Sequence, residues 1–298
     1  MNNKVIGTII GIGVILVIIF ALFAVYKSIM VSGPQSVKTL IQEGKLDEAK
    51  AHIDDIALKN PGSKALGKVY FDIAKSYEER KDYVKARDIY QAILAKYQNI
   101  ENIIEVQESV GRLNIKILFS PTVTVRDVLY EVEPGDTLFK IAKKLGTTID
   151  IIKASNSLKG DTIQARSRLK ISKAGYKILI DKSQNILTLF FDDNTIFKVY
   201  RISTGENNST PIGTFKITNK IKDPVWYTEG AIVPAESPDN ILGSRWLGLS
   251  AKGYGIHGTI DPESVGRQAT KGCIRMLNAD VEELYTIIPV GTDVTIVD

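Results

Sequence analysis

Apolar residues are spaced in three ways along these 298 residues, and each spacing predicts a different kind of element. Residues 5–26 carry no charge and are bracketed by Lys4 and Lys27. As a helix, this run of 22 residues extends roughly 33 Å, enough to cross a hydrocarbon core of about 30 Å. A cleaved export signal has a shorter apolar core and ends on small residues. Here Ala24-Val25-Tyr26 ends on a large one, so a single uncleaved membrane anchor is expected. From 34 to 118 the spacing becomes the i, i+3, i+4, i+7 of amphipathic helices. Tyr70, Ile73, Ala74 and Tyr77 make one stripe; Ala86, Ile89, Tyr90, Ile93, Leu94 and Tyr97 make the next. Beyond residue 176 the pattern alternates, predicting strands over 177–181, 186–191 and 195–203 with polar turns at Ser183-Gln184-Asn185 and Asp192-Asp193-Asn194. A helix over 280–287 and a last strand over 292–297 follow. The segment 176–298 therefore reads as a mainly antiparallel β-sandwich or barrel-like domain.

The helical segment contains an echo. Gly44-Lys45-Leu46-Asp47-Glu48-Ala49 returns as Lys81-Asp82-Tyr83-Val84-Lys85-Ala86, an offset of 37 residues, close to the tetratricopeptide period of about 34. Segment 34–118 resembles about two such repeats, with 100–118 as a closing helix. Grooves of this family often bind protein partners. Two repeats are also fewer than a robust array needs, so a spacer that holds the rest of the chain off a membrane is an equal expectation. His52, in this segment, reads as a solvated helix position.

Ser120-Pro121-Thr122 interrupts the helical pattern and marks a linker. From 127 to 173 the chain resembles a LysM domain through Tyr130-Glu131-Val132-Glu133-Pro134-Gly135-Asp136-Thr137-Leu138-Phe139-Lys140-Ile141-Ala142, then Asn156, Leu158, Ile163 and Leu169-Lys170-Ile171. A small βααβ unit follows: a strand over 128–132, a turn at Pro134-Gly135, and a helix capped by Asp136 or Thr137. A second helix over 149–155 and a closing strand around 169–171 complete it. The resemblance implies binding of N-acetylglucosamine-containing glycans. A Pro-Gly frequent before the last strand is Ala165-Arg166 here, so a spacer that binds nothing is the alternative.

The candidate chemistry lies near the C-terminus. Cys273 is the only cysteine and His257 one of two histidines. A thiol attacks carbonyls well only as thiolate, and a nearby imidazole can take its proton. Each residue stands beside a glycine, Gly258 or Gly272, where the backbone can approach a substrate closely. One cysteine excludes an internal disulfide. Two distant histidines and one cysteine offer no metal-ligand cluster, and no cofactor is called for. A net charge of +4 gives no case for nucleic acid.

Residues 176–298 resemble the YkuD-type L,D-transpeptidases of bacterial cell walls. The resemblance rests on Ser203-Thr204-Gly205, Thr210-Pro211-Ile212-Gly213-Thr214-Phe215, Trp246-Leu247-Gly248-Leu249, Tyr254 to Thr259, Ser264-Val265-Gly266 and the run Lys271 to Met276. The interval of sixteen residues from His257 to Cys273 also fits. Many members carry Ser-His-Gly-Cys where Thr270-Lys271-Gly272-Cys273 stands here, which puts a role for position 271 in doubt.

The resemblance implies that Cys273 attacks the carbonyl of the third residue of a peptidoglycan stem peptide. The terminal D-amino acid leaves, and an amine from another stem resolves the thioester as a 3→3 cross-link. His257 is implied as base and acid, oriented by the Gly258 carbonyl, with N–H groups around Gly272 and Cys273 holding the oxyanion. Arg275 is implied to meet a substrate carboxylate; the alternative is a scaffold salt bridge with Asp280 or a neighbour. Carbapenems are implied to acylate Cys273. The expected whole is multidomain: a transmembrane helix, an all-α tetratricopeptide-like segment, a LysM domain and a mainly-β catalytic domain. It is expected in the cell membrane as a single-pass protein, the bulk of the chain outside and facing the wall. An L,D-carboxypeptidase and a non-catalytic wall-binding scaffold are the rival readings.

Overall fold

The computed structural model describes residues 36–298, Pro61 and Glu229 excepted. The expected anchor at 5–26 lies outside the described residues. Among the described residues no helix is long and apolar enough to cross a membrane. The chain divides into two compact units between Val106 and Gln107.

The first unit is helical, with Leu46–Lys59, Lys64–Glu79 and Tyr83–Lys96 as its main helices. The stripes read from the sequence are its core: Ile73, Ala74, Tyr77, Ala86, Ile89, Tyr90 and Ile93 are buried. The echoed turns share a backbone device, since Gly44 and Lys81 both take positive φ, +78° and +64°. Asp47 ties the two turns together by accepting from Tyr77 Oη and Lys85 Nζ, each at 2.6 Å. Arg80 Nη1 adds a bond to the Gly44 carbonyl at 2.7 Å. The echo in sequence is thus an echo in packing.

The second unit contains the end of helix Ile103–Leu118, the small βααβ module and the β-rich domain. In the module β1 (Asp127–Glu131) pairs antiparallel with β2 (Arg168–Ser172), and helices Leu138–Leu145 and Ile149–Ser155 lie between them in sequence. Thr137 is the cap of the first helix, its hydroxyl accepting from the Lys140 N–H at 3.2 Å. Asp136 instead closes the turn, accepting from Tyr130 Oη at 2.8 Å and the Glu133 N–H at 2.9 Å. The Asn156 amide meets both backbone groups of Lys170 at 2.8 Å. Arg166 takes φ +70°, the conformation that the more usual glycine supplies without strain.

This module is not free-standing. Ile151, fully buried, belongs to the core of the β-rich domain rather than to that of its own module. Thr148 Oγ1 donates to the Thr286 carbonyl at 2.6 Å. Lys170 buries its ammonium among the carbonyls of Ile117 (2.8 Å), Leu118 (3.3 Å) and Ser120 (2.9 Å). It thereby satisfies acceptors that the helix end leaves open. Burial holds its pKa below the usual lysine value, against the pull of Asp127.

The β-rich domain contains β3 (Tyr176–Asp181), β4 (Ile186–Phe191), β5 (Ile196–Arg201), β6 (Thr204–Gly205), β7 (Gly213–Lys222), β8 (Trp226–Thr228), β9 (Ala231–Val233), β10 (Arg245–Leu249), β11 (Gly255–His257), β12 (Gln268–Thr270), β13 (Ile274–Arg275) and β14 (Asp293–Val297). Eight form one sheet in the order β13-β11-β10-β7-β14-β3-β4-β5. The pairings β14/β3 and β11/β13 are parallel, so the sheet is mixed. The other five pairings of this sheet are antiparallel, in keeping with the mainly antiparallel domain read from the sequence. Alternation of side chains carries no information on strand direction, so the two parallel pairs were not foreseen. Ser203, just past β5, exchanges both backbone hydrogen bonds with Arg275 of β13, at 2.8 and 2.9 Å. The outermost strands are thereby latched, and the sheet curls round on itself. Helix Asn278–Ile287 sends Val281, Leu284 and Ile287 into the core with Ile178, Leu189, Phe197, Leu247 and Ile256.

Candidate active site

His257 ends β11, and Cys273 immediately precedes β13. These strands pair in parallel with Ile256 opposite Ile274 and His257 opposite Arg275. Side chains alternate along strands, so Ile256 and Ile274, both 0% exposed, point into the core. His257, Arg275 and Cys273 then share the other face. The loop 258–272 closes the sixteen-residue gap in sequence into a neighbourhood in space.

Nδ1 of His257 stands 2.7 Å from the Gly258 carbonyl oxygen. A carbonyl only accepts, so Nδ1 carries the hydrogen and Nε2 keeps the basic lone pair. Trp246 lies directly across from His257 on β10 and stacks on it, with ring centroids 6.0 Å apart and planes 17° apart. Burial pulls the imidazole from its ordinary 6.5 down to about 4, and the Arg275 charge adds to the fall. The carbonyls of Gly258 and Leu242 pull the other way.

The Cys273 thiol is half-buried and donates to the Gly253 carbonyl at 3.7 Å. Burial pushes its pKa above the ordinary value, opposed by the Gly255 N–H and the Arg275 charge. The pair at rest is therefore neutral thiol and neutral imidazole. An enclosed site penalises both charges, so the proton is not already on histidine at rest.

The loop carrying Cys273 is held from several sides. Gly272 takes φ +125°, and a Cβ there would meet the Tyr254 ring at 2.8 Å and the Ser209 carbonyl oxygen at 3.1 Å. Only glycine fits. Thr270 Oγ1 accepts from the Gly272 N–H at 3.1 Å and donates to the Cys273 carbonyl at 2.7 Å. Thr210 Oγ1 donates to the Gly272 carbonyl at 2.8 Å. The Gly272 N–H, implied by resemblance as an oxyanion donor, is thus engaged by Thr270. Lys271 is exposed.

Arg275 Nη1 donates to Ser264 Oγ at 2.8 Å, while Nε is buried without a hydrogen-bond partner. The carboxylate whose charge reaches it is Asp261; Asp280 lies in the field of Lys198 instead. Of the scaffold partners expected, Asp280 is therefore not the one: Arg275 bonds Ser264, with Asp261 as the neighbouring charge. Among the described residues no group of His, Cys, Asp and Glu has the makings of a metal centre. Trp246, Thr210, Thr270, Ser264 and Asn278 were not predicted as site residues. Thr210, Trp246, Ser264 and Thr270 stood in the motif runs quoted above, which marked the family and not these roles; Asn278 stood outside them.

Residues 175–296 match the L,D-transpeptidase catalytic domain of the YkuD family, and residues 130–172 match the LysM domain. The chain is 42% identical over 127 residues to YqjB of Bacillus subtilis, described as an L,D-transpeptidase; the match covers 41% of this chain and 70% of that protein. It is 36% identical over 174 residues to YkuD of Bacillus subtilis, described likewise, covering 56% of this chain and 97% of that one. The chain belongs to the YkuD family of L,D-transpeptidases. YkuD of Bacillus licheniformis is 34% identical over 177 residues, covering 57% of this chain and 98% of that relative. Within this L,D-transpeptidase, Cys273, His257, Gly258, Gly272 and Arg275 all fall inside residues 175–296, in the matched catalytic domain.

Proposed function

We propose that this protein joins peptidoglycan stem peptides through a thioester on Cys273, forming 3→3 cross-links. The observation that carries the reading is the shared face of β11 and β13, with the His257 Nδ1 hydrogen committed to Gly258 and Nε2 left basic. Nε2 takes the thiol proton as Sγ bonds to the carbonyl carbon of the third stem residue. The carbonyl oxygen becomes an oxyanion, which we assign to the Cys273 N–H. Collapse breaks the bond to the terminal D-residue, whose amine leaves with the proton from His257. An acceptor amine then attacks the thioester, gives its proton to Nε2, and releases Cys273 as thiol. Arg275 offers a guanidinium to a stem carboxylate on the same face. The LysM domain holds the glycan, residues 5–26 anchor the chain in the cell membrane, and the catalytic domain works outside. The tetratricopeptide-like helices serve as spacer or as groove for a protein partner.

The test is incubation with a disaccharide-tetrapeptide, with products read by mass spectrometry. A cross-linked dimer shortened by one D-residue is expected. Trimmed monomer alone makes the protein an L,D-carboxypeptidase, and unchanged substrate makes it a wall-binding scaffold.

A further inference from the structure

We propose that Asn278 is a positioning residue that sets the tautomer and orientation of His257; the inference rests on the Cys273–His257 reading above. Asn278 opens helix Asn278–Ile287, yet its amide serves backbone elsewhere. Oδ1 accepts from the Thr259 N–H at 3.0 Å and the Ser244 N–H at 3.2 Å, and Nδ2 donates to the Thr259 carbonyl at 2.8 Å. The Thr259 N–H and the Gly258 carbonyl belong to one planar trans peptide unit and point in opposite directions. Holding that N–H on Asn278 therefore aims the carbonyl away from it. This is the carbonyl that stands 2.7 Å from His257 Nδ1.

Left alone, the unit has little to hold it, because Gly258 is the residue type most free to turn over. Glycine is nevertheless required, since a Cβ at 258 or at 243 would run into Asn278 Oδ1. The free joint and the clamp that stills it come as a pair. The second bond to Thr259, from Nδ2, stops the clamped segment from sliding. Asn278 lies two residues after Met276, whose N–H donates to the His257 carbonyl at 2.8 Å. The nucleophile's side of the site and the base's side are thus tied at two adjacent points, and Asn278 is the one that reaches the ring.

The experiment compares wild type with Asn278→Ala, Asn278→Leu and Asn278→Asp. It reads the acylation rate with a carbapenem by intact mass, its pH profile, and the ring tautomer by ¹⁵N NMR of labelled histidine. Removing an outer hydrogen bond that orients a metal-bound histidine costs on the order of 10- to 100-fold in activity, and the clamp on His257 orients its ring in the same way. That loss is expected for the alanine and leucine proteins at pH 7, with appearance of the Nε2–H tautomer. Asn278→Asp keeps both acceptor bonds but loses the donor to the Thr259 carbonyl, so the tautomer should return and the rate only in part. Its added negative charge should move the acid limb of the profile to higher pH. Alanine and leucine variants with wild-type rate and tautomer overturn the proposal. If neither folds, the aspartate protein decides, and either an unmoved acid limb or a changed tautomer overturns it. A His257→Ala protein acylating at the wild-type rate would instead sink the reading of the site itself, whatever Asn278 does.

Discussion

Acid is the sharpest probe of this site, because the neutral imidazole is held neutral by its surroundings. The fall from 6.5 to about 4 means that protonating the buried ring costs about 3 kcal/mol more than protonating a free one. At pH 5.5 an ordinary histidine is about one-tenth neutral, whereas His257 should remain more than nine-tenths neutral. The acylation rate should therefore be nearly flat from pH 8 down to about pH 5.5, and fall with a midpoint close to 4. Folding follows the same proton. The unfolded chain takes it up near 6.5 and the folded one only near 4, so stability is fully present above 6.5. It drains by up to about 3 kcal/mol as pH falls through that window. Single-turnover acylation by a carbapenem, followed by intact mass from pH 3.5 to 8.5 with circular dichroism at each point, separates the two effects. An acid limb centred at 6.5 in folded protein would refute the buried-base argument.

Four further outcomes follow from the residues described above. Cys273→Ala should fold normally, give no carbapenem adduct and release no terminal D-residue; any adduct on that protein removes the thioester from the scheme. Ile151→Ala should cost about 2–5 kcal/mol and lower the melting temperature of the catalytic domain itself, because the side chain fills that domain's core. By the same contact, deleting residues 127–172 should leave unfolded or aggregated protein, and a well-folded, fully active deletion protein would contradict the shared core. Thr270→Val keeps the shape but loses both loop bonds, so it should cost roughly 1–3 kcal/mol and slow acylation. Unaltered stability by denaturant unfolding would show that the Gly272 N–H is as well served without Thr270.

What the sequence made legible follows from what each residue's neighbours are. Strands such as Ile186–Phe191 and the helix Ile149–Ser155 are local events, written in alternation and in capping residues, and both ranges could be read directly. Thr137 against Asp136 as cap was undecided because both side chains suit the place, and only the fold gave Asp136 to Tyr130. The parallel pairing of β11 with β13 was invisible, since period-2 patterns are the same in either direction. Ile151 looked like a core residue and is one, but of the neighbouring domain, which no pattern within its own helix could announce. At the site, the reactive pair stood out because cysteine and histidine are scarce here. Its supports did not, for an asparagine or a tryptophan gains its role only from a partner distant in the chain. The protonation state went the same way: burial, which the sequence does not display, left both groups uncharged.

The latch between Ser203 and Arg275 also decides how a substrate can approach. A strand at a sheet margin normally offers unpaired backbone groups, and many peptide-binding proteins capture an extended ligand by letting it become one strand more. Here Ser203 already occupies that margin of β13, and β6 beside it is taken by β12. On the proposed reading, a stem peptide cannot dock at Cys273 by prolonging the sheet. It has to be recognised by side chains and loop backbone above the strands. Selectivity should therefore respond to changes in the loops 206–212, 234–244 and 258–267, and hardly at all to the hydrogen-bonding register of the strands beneath them.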